Sequence, residues 1–523
     1  VQAGLITGIV GESGSGKSVS CMGLTRLLPK TISLYGEINY KDAYGVNHNL
    51  LTCSEAQLRQ LRGKEIAYIF QEPMTALNPV ISCGKQVAEC LDIHQKLSKF
   101  EKKQCVLDLF KEVKLPDIER IYDSYPHQIS GGQRQRVMIS MALANNPRLL
   151  IADEPTTALD ASVQKSIIDL LVGMVKSRGM AMIFISHDLG CLKSVADEIL
   201  VMYQGNLVEK GTASQIFKSP KHPYTKALMK TRPSFKLSDM VLPTIPDLLH
   251  FSMDGEIEEK EFMSISRQKM ALGNVILEIS NLGKTFSKRR FFKKSSSDKE
   301  VLKTLTFNVQ QGETLGIVGE SGCGKSTLAK ILCGLETKSK GDIVFKKSRS
   351  NQIGRQIQMV FQDPFSSLNP SITGGNAILE PLLVHKLANK KNGKQKVLKL
   401  LELTGLTPDF YMKYPHQMSG GQRQRICIAR ALALEPSILI LDESVAALDV
   451  SVQSQILNLL KDIQVKLGLT YLFISHDLNV VGYMSDRVIV LKDGSIVEEG
   501  NALDLINNPQ SDYTKFLIQC MYD

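Results

Sequence analysis

Short unbroken apolar runs punctuate the chain at Leu149, Leu150, Ile151 and Ala152, at Met182, Ile183, Phe184 and Ile185, at Ile438, Leu439, Ile440 and Leu441, and at Leu472, Phe473 and Ile474. Runs of this length flanked by polar residues predict strands buried on both faces, as in a parallel sheet. Between the first two runs, Val163, Ile167, Leu170, Leu171, Met174 and Val175 recur at helical spacing. Strand, helix and strand in that order make a parallel crossover, so the pattern predicts α/β domains with their chemistry at the carboxyl ends of the strands. Two further strand-like runs, residues 5–10 and 314–318, each lead into a glycine-rich stretch.

The pattern is written twice. Gly8-Ile9-Val10-Gly11-Glu12-Ser13-Gly14-Ser15-Gly16-Lys17-Ser18 returns as Gly316-Ile317-Val318-Gly319-Glu320-Ser321-Gly322-Cys323-Gly324-Lys325-Ser326. Tyr125-Pro126-His127-Gln128, with Ser130-Gly131-Gly132-Gln133 after it, returns at Tyr414-Pro415-His416-Gln417 and Ser419-Gly420-Gly421-Gln422. Asp153-Glu154 and Ser186-His187-Asp188 return as Asp442-Glu443 and Ser475-His476-Asp477. Self-similarity of this kind predicts two homologous domains, 1–235 and 275–523. The stretch 236–274 loses the repeat, carries Pro243 and Pro246 and gathers Glu256, Glu258, Glu259 and Glu261, which predicts a linker with one small structured piece. Near the start of the second copy Lys284, Lys288, Arg289, Arg290, Lys293 and Lys294 crowd together with no acid between them. That cluster predicts a solvated loop, with a contact to anionic lipid headgroups as the sharper alternative.

Composition narrows the class. With 523 residues, 43% of them hydrophobic and 22% charged, the chain buries full cores, and it has no apolar run long enough to span a membrane. Its ten cysteines include no C-x-x-C pair, which argues against zinc ribbons and disulfide scaffolds and fits a reducing cytosol. The net charge of +10 could suit nucleic acid or an anionic membrane face, but a plain solvated surface is the first reading, and alone the charge decides nothing. The first residue is Val1, close to the first motif, so part of the natural N-terminus is expected to be missing.

Both glycine-rich stretches fit G-x-x-x-x-G-K-[ST] after a strand, the pattern of a phosphate-cradling loop. Its backbone N–H groups and the positive end of the following helix meet phosphate oxygens, and Lys17 or Lys325 meets the outer phosphates. The expected nucleotide contacts are Gly11, Ser13, Gly14, Ser15, Gly16, Lys17, Ser18 and Val19, and Gly319, Ser321, Gly322, Cys323, Gly324, Lys325, Ser326 and Thr327. Ser18 and Asp153, and Ser326 and Asp442, are expected to hold Mg²⁺, with Gln71 and Gln362 as neutral amides for metal or water. Glu154 and Glu443, one position beyond each aspartate, suit orienting or deprotonating an attacking water. His187 and His476 close the next strand, within reach of a γ-phosphate. Ser130 with Gln133, and Ser419 with Gln422, form the capping-box pattern, so Gly131, Gly132, Gly420 and Gly421 open a helix. A helix N-terminus of this kind is an anion site, yet each domain already has one in its phosphate loop. The second anion site therefore needs the other domain's nucleotide.

Together these residues resemble the ATP-binding cassette family, with Walker A, Q-loop, signature, Walker B, D-loop (Asp160; Asp449) and switch histidine present twice. The resemblance covers nearly the whole chain. It implies two P-loop domains, each a RecA-like core with a helical subdomain and an antiparallel β part, that bind and hydrolyse ATP with Mg²⁺. It further implies a head-to-tail pair in which Lys17, Gln71, Glu154 and His187 face Ser419 and Gly421, while Lys325, Gln362, Glu443 and His476 face Ser130 and Gly132. Phe286 is the candidate adenine-stacking residue of the second copy. More narrowly, Gln71-Glu72-Pro73-Met74, Gln362-Asp363-Pro364-Phe365 and His222-Pro223-Tyr224-Thr225-Lys226, echoed by Asp512-Tyr513-Thr514-Lys515, look like the ATPases of oligopeptide and dipeptide importers. The His-Pro-Tyr segment also fits a plain packed helix start.

That likeness implies an ATP-driven importer motor, peripheral on the cytoplasmic face of the inner membrane. Its partners would be two permease subunits, gripped near the Gln-loops, and an external solute-binding protein, with no nucleic acid. The cargo stays open among peptides, nickel and glutathione-like solutes. The alternative is a tandem ATPase acting on ribosomes or nucleic acid. Departures are Ser444 and Val445 in place of Pro-Thr after the second Asp-Glu pair, and the lack of cysteine between Cys191 and Cys323, so no iron–sulfur centre is expected.

Overall fold

In a computed structural model the chain is described at all residues except 43–44, 72–75, 157–158, 232, 234–239, 255–270, 287–298, 347–352, 390, 447 and 523. The described residues form two compact units, Val1–Leu159 with Val163–Lys230, and Asp160–Ser162 with Thr231–Asp523.

In the first unit the strands are β1 (Ile6–Val10), β2 (Asn39–Lys41), β3 (Asn47–Asn49), β4 (Ile66–Ile69), β5 (Leu149–Asp153), β6 (Ala181–Ser186), β7 (Glu198–Tyr203) and β8 (Asn206–Thr212). Six of them make one sheet in the order β4-β5-β6-β1-β7-β8, parallel from β4 to β7, with β8 antiparallel at the edge. Every residue of β1 and β6 is buried, as their unbroken apolar runs predict. The helix Ala161–Arg178 joins β5 to β6 and buries Ile167, Leu170, Leu171, Met174 and Val175.

The second unit repeats this sheet. Its strands are β9 (Val275–Phe286), β10 (Lys299–Gln310), β11 (Thr314–Val318), β12 (Lys340–Phe345), β13 (Ile357–Val360), β14 (Ile438–Asp442), β15 (Thr470–Ile474), β16 (Arg487–Lys492) and β17 (Ser495–Asn501). The main sheet runs β13-β14-β15-β11-β16-β17, and β10-β9-β12 form the expected antiparallel part. Helices Gly374–Val384, Gly393–Leu403 and Gly420–Leu432 build the helical subdomain, packed through Ile378, Leu401 and Ile426, all fully buried.

The stretch before β9 adds to this core. Leu242, Ile245 and Leu248 are buried, and Ile245 opens the helix Ile245–Asp254. Asn458 clasps Leu242 from both sides: its Oδ1 accepts the Leu242 N–H at 3.0 Å and its Nδ2 donates to the Leu242 carbonyl at 2.8 Å. Tyr483 donates to the Met240 carbonyl at 3.0 Å, and Ser454 to that of Thr231 at 2.8 Å. An extended segment satisfied in this way behaves as part of the unit it lies on.

Lys284 does not belong to a solvated basic loop. It lies in β9 with 7% exposure, and its ammonium donates to Glu336 at 2.8 Å and to the Thr337 carbonyl at 2.7 Å. A buried ammonium must be paired, and the strand points it at its acid. Lys288, Arg289, Arg290, Lys293 and Lys294, like the acidic run from Glu256 to Glu261, lie outside the described residues.

Candidate functional site

In each unit the central strand ends at a glycine and turns into the phosphate loop, which runs into Lys17–Leu24 or Lys325–Leu332. The turn requires glycine because a Cβ on Gly11 would stand 2.2 Å from the Met202 carbonyl oxygen, and one on Gly319 2.2 Å from that of Leu491. Lys17 Nζ donates to the Gly11 and Glu12 carbonyls at 2.8 Å each, and Lys325 Nζ to those of Gly319 and Glu320 at 2.6 and 3.0 Å. Ser15 Oγ is buried with no hydrogen-bond partner among the described residues. An orphaned hydroxyl inside a loop of this shape fits a phosphate oxygen. Cys323 takes that place in the second loop. Burial pushes its thiol up, against the pull of Lys325, so it stays protonated at neutral pH.

Ser18 Oγ donates to Asp153 Oδ1 at 2.9 Å, and Ser326 Oγ to Asp442 Oδ1 at 3.3 Å. The two oxygen ligands expected for Mg²⁺ thus stand together in both units, and an ion that keeps most of its shell as water and phosphate fits so small a protein donor set. Burial raises both aspartates above the ordinary carboxylate value; hydrogen bonds from Tyr68 and Ser18 oppose it at Asp153, and the one from Ser326 at Asp442. Tyr68 is a residue that sequence reasoning missed: its phenol donates to Asp153 Oδ2 at 2.7 Å. The only signal was a hydroxyl inside the otherwise apolar strand β4, and in the second unit Met359 stands there instead.

Glu154 and Glu443 adopt left-handed backbone with φ of 45° and 46°. That region costs a non-glycine residue on the order of 1 kcal/mol or more and persists only where surroundings enforce it. Here the neighbouring strand does so, as Glu154 N–H donates to the Ile185 carbonyl at 3.1 Å and Glu443 N–H to that of Ile474 at 2.9 Å. Glu154 accepts from Gln71 Nε2 at 2.9 Å and pairs with His187 Nδ1 at 3.1 Å. Glu443 does the same with Gln362 at 2.6 Å and His476 at 3.5 Å. Burial is the largest influence on Glu443 and pushes it up, yet the hydrogen bond and charge of His476 carry it below the ordinary value. His476 is held above its own, burial opposing and Glu443 prevailing. The aspartate, glutamate, glutamine and histidine therefore gather at the ends of adjacent strands in each unit, with the serine at the head of the helix that follows the phosphate loop.

The signature segments open helices Gly131–Leu143 and Gly420–Leu432 with full capping boxes: Ser130 Oγ accepts the Gln133 N–H at 3.3 Å while Gln133 Oε1 accepts the Ser130 N–H at 3.0 Å. Ser419 and Gln422 repeat this at 3.4 and 2.9 Å. A Cβ on Gly132 would stand 2.7 Å from Val163 Cγ1, and one on Gly421 2.4 Å from Val452 Cγ1, so packing alone demands the second glycine. Asp449 stands at the N-cap of Val450–Leu467, and Asp160 accepts from Ser162 Oγ at 3.0 Å. Phe286 ends β9, itself 40% exposed, with Lys284 Nζ 4.7 Å from its ring centroid. Val19 is exposed, and Thr327 half-buried.

Two duplicated α/β sheets, each ending in a phosphate loop beside an acid pair, define a tandem P-loop ATPase. The chain belongs to the ABC transporter family, which its residues 1–157 and 302–446 match. Residues 208–249 and 497–523 match the C-terminal region of oligopeptide/dipeptide transporters. It is similar to the glutathione import ATP-binding protein GsiA of Escherichia coli (strain K12), 43% identical over 531 residues that cover 99% of this chain and 84% of the relative. GsiA of Pectobacterium atrosepticum is 42% identical over 533 residues, covering 100% of this chain and 85% of its own length. Among solved structures, the dimeric post-hydrolysis state of the ATP-binding cassette MJ0796 bound to ADP and Pi is 31% identical, covering 43% of this chain and 98% of its own at a TM-score of 0.38. The chain is thus the ATP-binding, ATP-hydrolysing component of an ABC transporter. No described helix is long and apolar enough to cross a membrane.

Proposed function

We propose that this chain drives import of glutathione or a similar small peptide through separate permease subunits, from the cytoplasmic face of the inner membrane. The observation that carries the reading is the duplicated constellation of lysine, aspartate, glutamate, glutamine and histidine, intact in both halves of a chain whose curated relatives are named glutathione import proteins. Those relatives favour an importer over a factor acting on ribosomes or nucleic acid.

Mg²⁺, held by Ser18 and Asp153 in one site and by Ser326 and Asp442 in the other, would neutralise phosphate charge. Lys17 and Lys325 leave their carbonyl partners for the outer phosphates. Glu154 and Glu443 hold the attacking water and receive its proton, while His187 and His476, bonded to those carboxylates, fix their orientation. Each site is completed by the other half's signature, Ser419 and Gly421 for the first and Ser130 and Gly132 for the second. In the second unit a cleft of about 670 Å³, lined by Phe361, Ser366, Glu380, Val384, His385 and Arg430 among others, would receive a permease helix end on apolar and charged side chains.

Reconstitution tests this reading. The full chain, joined with two candidate permease subunits and a solute-binding protein in proteoliposomes, should accumulate labelled glutathione only with ATP. Accumulation of a dipeptide or Ni²⁺ but not glutathione would overturn the cargo, and recovery of the chain from cells on ribosomes instead of with polytopic subunits would overturn the importer.

A further inference from the structure

The C-terminal segment of each cassette reaches the phosphate loop. Tyr224, fully buried near the start of Pro223–Lys230, accepts the Glu12 N–H on its phenol oxygen at 3.0 Å. Tyr513, in Asp512–Tyr522, accepts the Glu320 N–H at 3.1 Å. The peptide units concerned are special. The Gly11 carbonyl and Glu12 N–H belong to one planar group, as do the Gly319 carbonyl and Glu320 N–H. The carbonyl side of each receives the loop lysine, Lys17 at 2.8 Å or Lys325 at 2.6 Å. One rigid plane is therefore held by the lysine on one edge and by the phenol on the other.

The two halves reach this arrangement with different residues. Each tyrosine helix is anchored by a carboxylate of the preceding strand: Glu209 accepts the N–H groups of Lys221 and His222 at 2.7 and 3.1 Å, and Glu498 those of Gln510 and Ser511 at 2.8 and 3.0 Å. The tyrosine's own N–H is capped by His222 Nδ1 at 3.2 Å in one half and by Ser511 Oγ at 3.2 Å in the other. Tyr203 stacks on the first ring with centroids 4.2 Å apart, whereas Lys492 Nζ lies 4.7 Å from the second. Cap and ring neighbour differ, and the phenol-to-loop bond persists. A helix that only needed a buried aromatic would be served by phenylalanine.

We propose that Tyr224 and Tyr513 are positioning residues for nucleotide binding, each fixing the peptide from which its loop lysine is presented to the phosphates. This rests on the reading that residues 11–18 and 319–326 hold those phosphates. It gives the C-terminal segments a task inside the ATP sites, so that a disturbance of either helix is felt at the lysine.

The test uses Tyr224→Phe with Tyr513→Phe in the full chain, which keeps both rings and removes only the hydroxyls. Losing the hydroxyl's hydrogen bond to the loop amide should raise the Kd for a fluorescent ATP analogue, and the KM for ATP, about three- to tenfold. kcat should stay within about twofold, and the nucleotide-free melting temperature should move by no more than about 5 °C. Amide exchange at Glu12 and Glu320 should quicken. Unchanged Kd and KM would overturn the proposal. So would a variant that fails to fold, which would make the hydroxyls a matter of stability alone. Lys17→Ala with Lys325→Ala separates the two readings: if that variant keeps full nucleotide affinity, the assignment of the phosphate loops fails, whatever the tyrosines do.

Discussion

Replacing Glu154 and Glu443 together by glutamine should stop turnover while leaving nucleotide bound. Glutamine keeps the length of the side chain and one acceptor oxygen for the Gln71 and Gln362 amides, which donate at 2.9 and 2.6 Å in the native sites. It bears the same Cβ on the same left-handed backbone, so the strain at φ 45° and 46° is unaltered. What weakens is the pairing with His187 and His476, at 3.1 and 3.5 Å. What disappears is the proton acceptor. Loss of general-base assistance lowers rates by on the order of 10²–10⁴, which corresponds to about 3–5 kcal/mol of barrier. Ser18, Asp153, Ser326 and Asp442 are untouched, so nucleotide and metal should still load. The assay is steady-state phosphate release from the full chain, with retained nucleotide measured after rapid desalting. A double variant that hydrolyses within about twofold of the native rate would refute the assignment of these carboxylates, and one that binds no nucleotide would refute the claim that only the proton acceptor was lost.

Two further outcomes follow from the geometry. Ser130→Arg removes a cap worth about 1 kcal/mol and fills an anion site assigned to the other half's nucleotide, so nucleotide trapping at Lys325 should suffer more than at Lys17; trapping resolved by Lys17→Ala and Lys325→Ala backgrounds that shows the reverse ordering would refute the pairing of opposite halves. Glu336, held below its ordinary value of 4.5 chiefly by the hydrogen bond from Lys284, contributes stability that is present above that pH and lost as pH falls through the lowered folded value. The melting-temperature advantage of the native chain over Glu336→Gln should therefore be constant from about pH 6 upward and shrink toward pH 3; an advantage that widens on acidification would break the argument.

The parts of the fold set by local pattern were legible in the sequence. Buried parallel strands such as β5, β6, β14 and β15 announced themselves as apolar runs, and the capping boxes at Ser130 and Ser419 were visible as Ser-x-x-Gln. What escaped depends on register and on backbone. Tyr68 meets Asp153 because β4 pairs with β5 in one register, with Tyr68 opposite Ile151, and no local signal specifies that. The left-handed glutamates are equally silent, since Asp-Glu carries no mark of φ. Lys284 was misread because grouping it with the basic residues after it hid its place in a strand facing Glu336. The spacing of Ile245 and Leu248 was a helical signal lying in plain view within a stretch marked by prolines.

The duplication also shows which features the chemistry fixes and which it lets vary. Lysine to two carbonyls, serine to aspartate, glutamine and histidine to glutamate, and phenol to loop amide recur in both units. Among the positions that differ are Tyr68 against Met359, Ser15 against Cys323, and Val19 against Thr327. Each changes the hydrogen-bonding capacity at its position. Asp153 receives two hydroxyl donors where Asp442 receives one, which steadies its charged form despite burial. The buried Ser15 hydroxyl offers a stronger hydrogen bond than the protonated Cys323 thiol, while Thr327 adds a hydroxyl that Val19 lacks. The first site is thus richer in donors around its metal-side aspartate and inside its loop, and the second at the head of its helix. On the proposed assignment, two loops so built would meet the nucleotide through unequal sets of contacts.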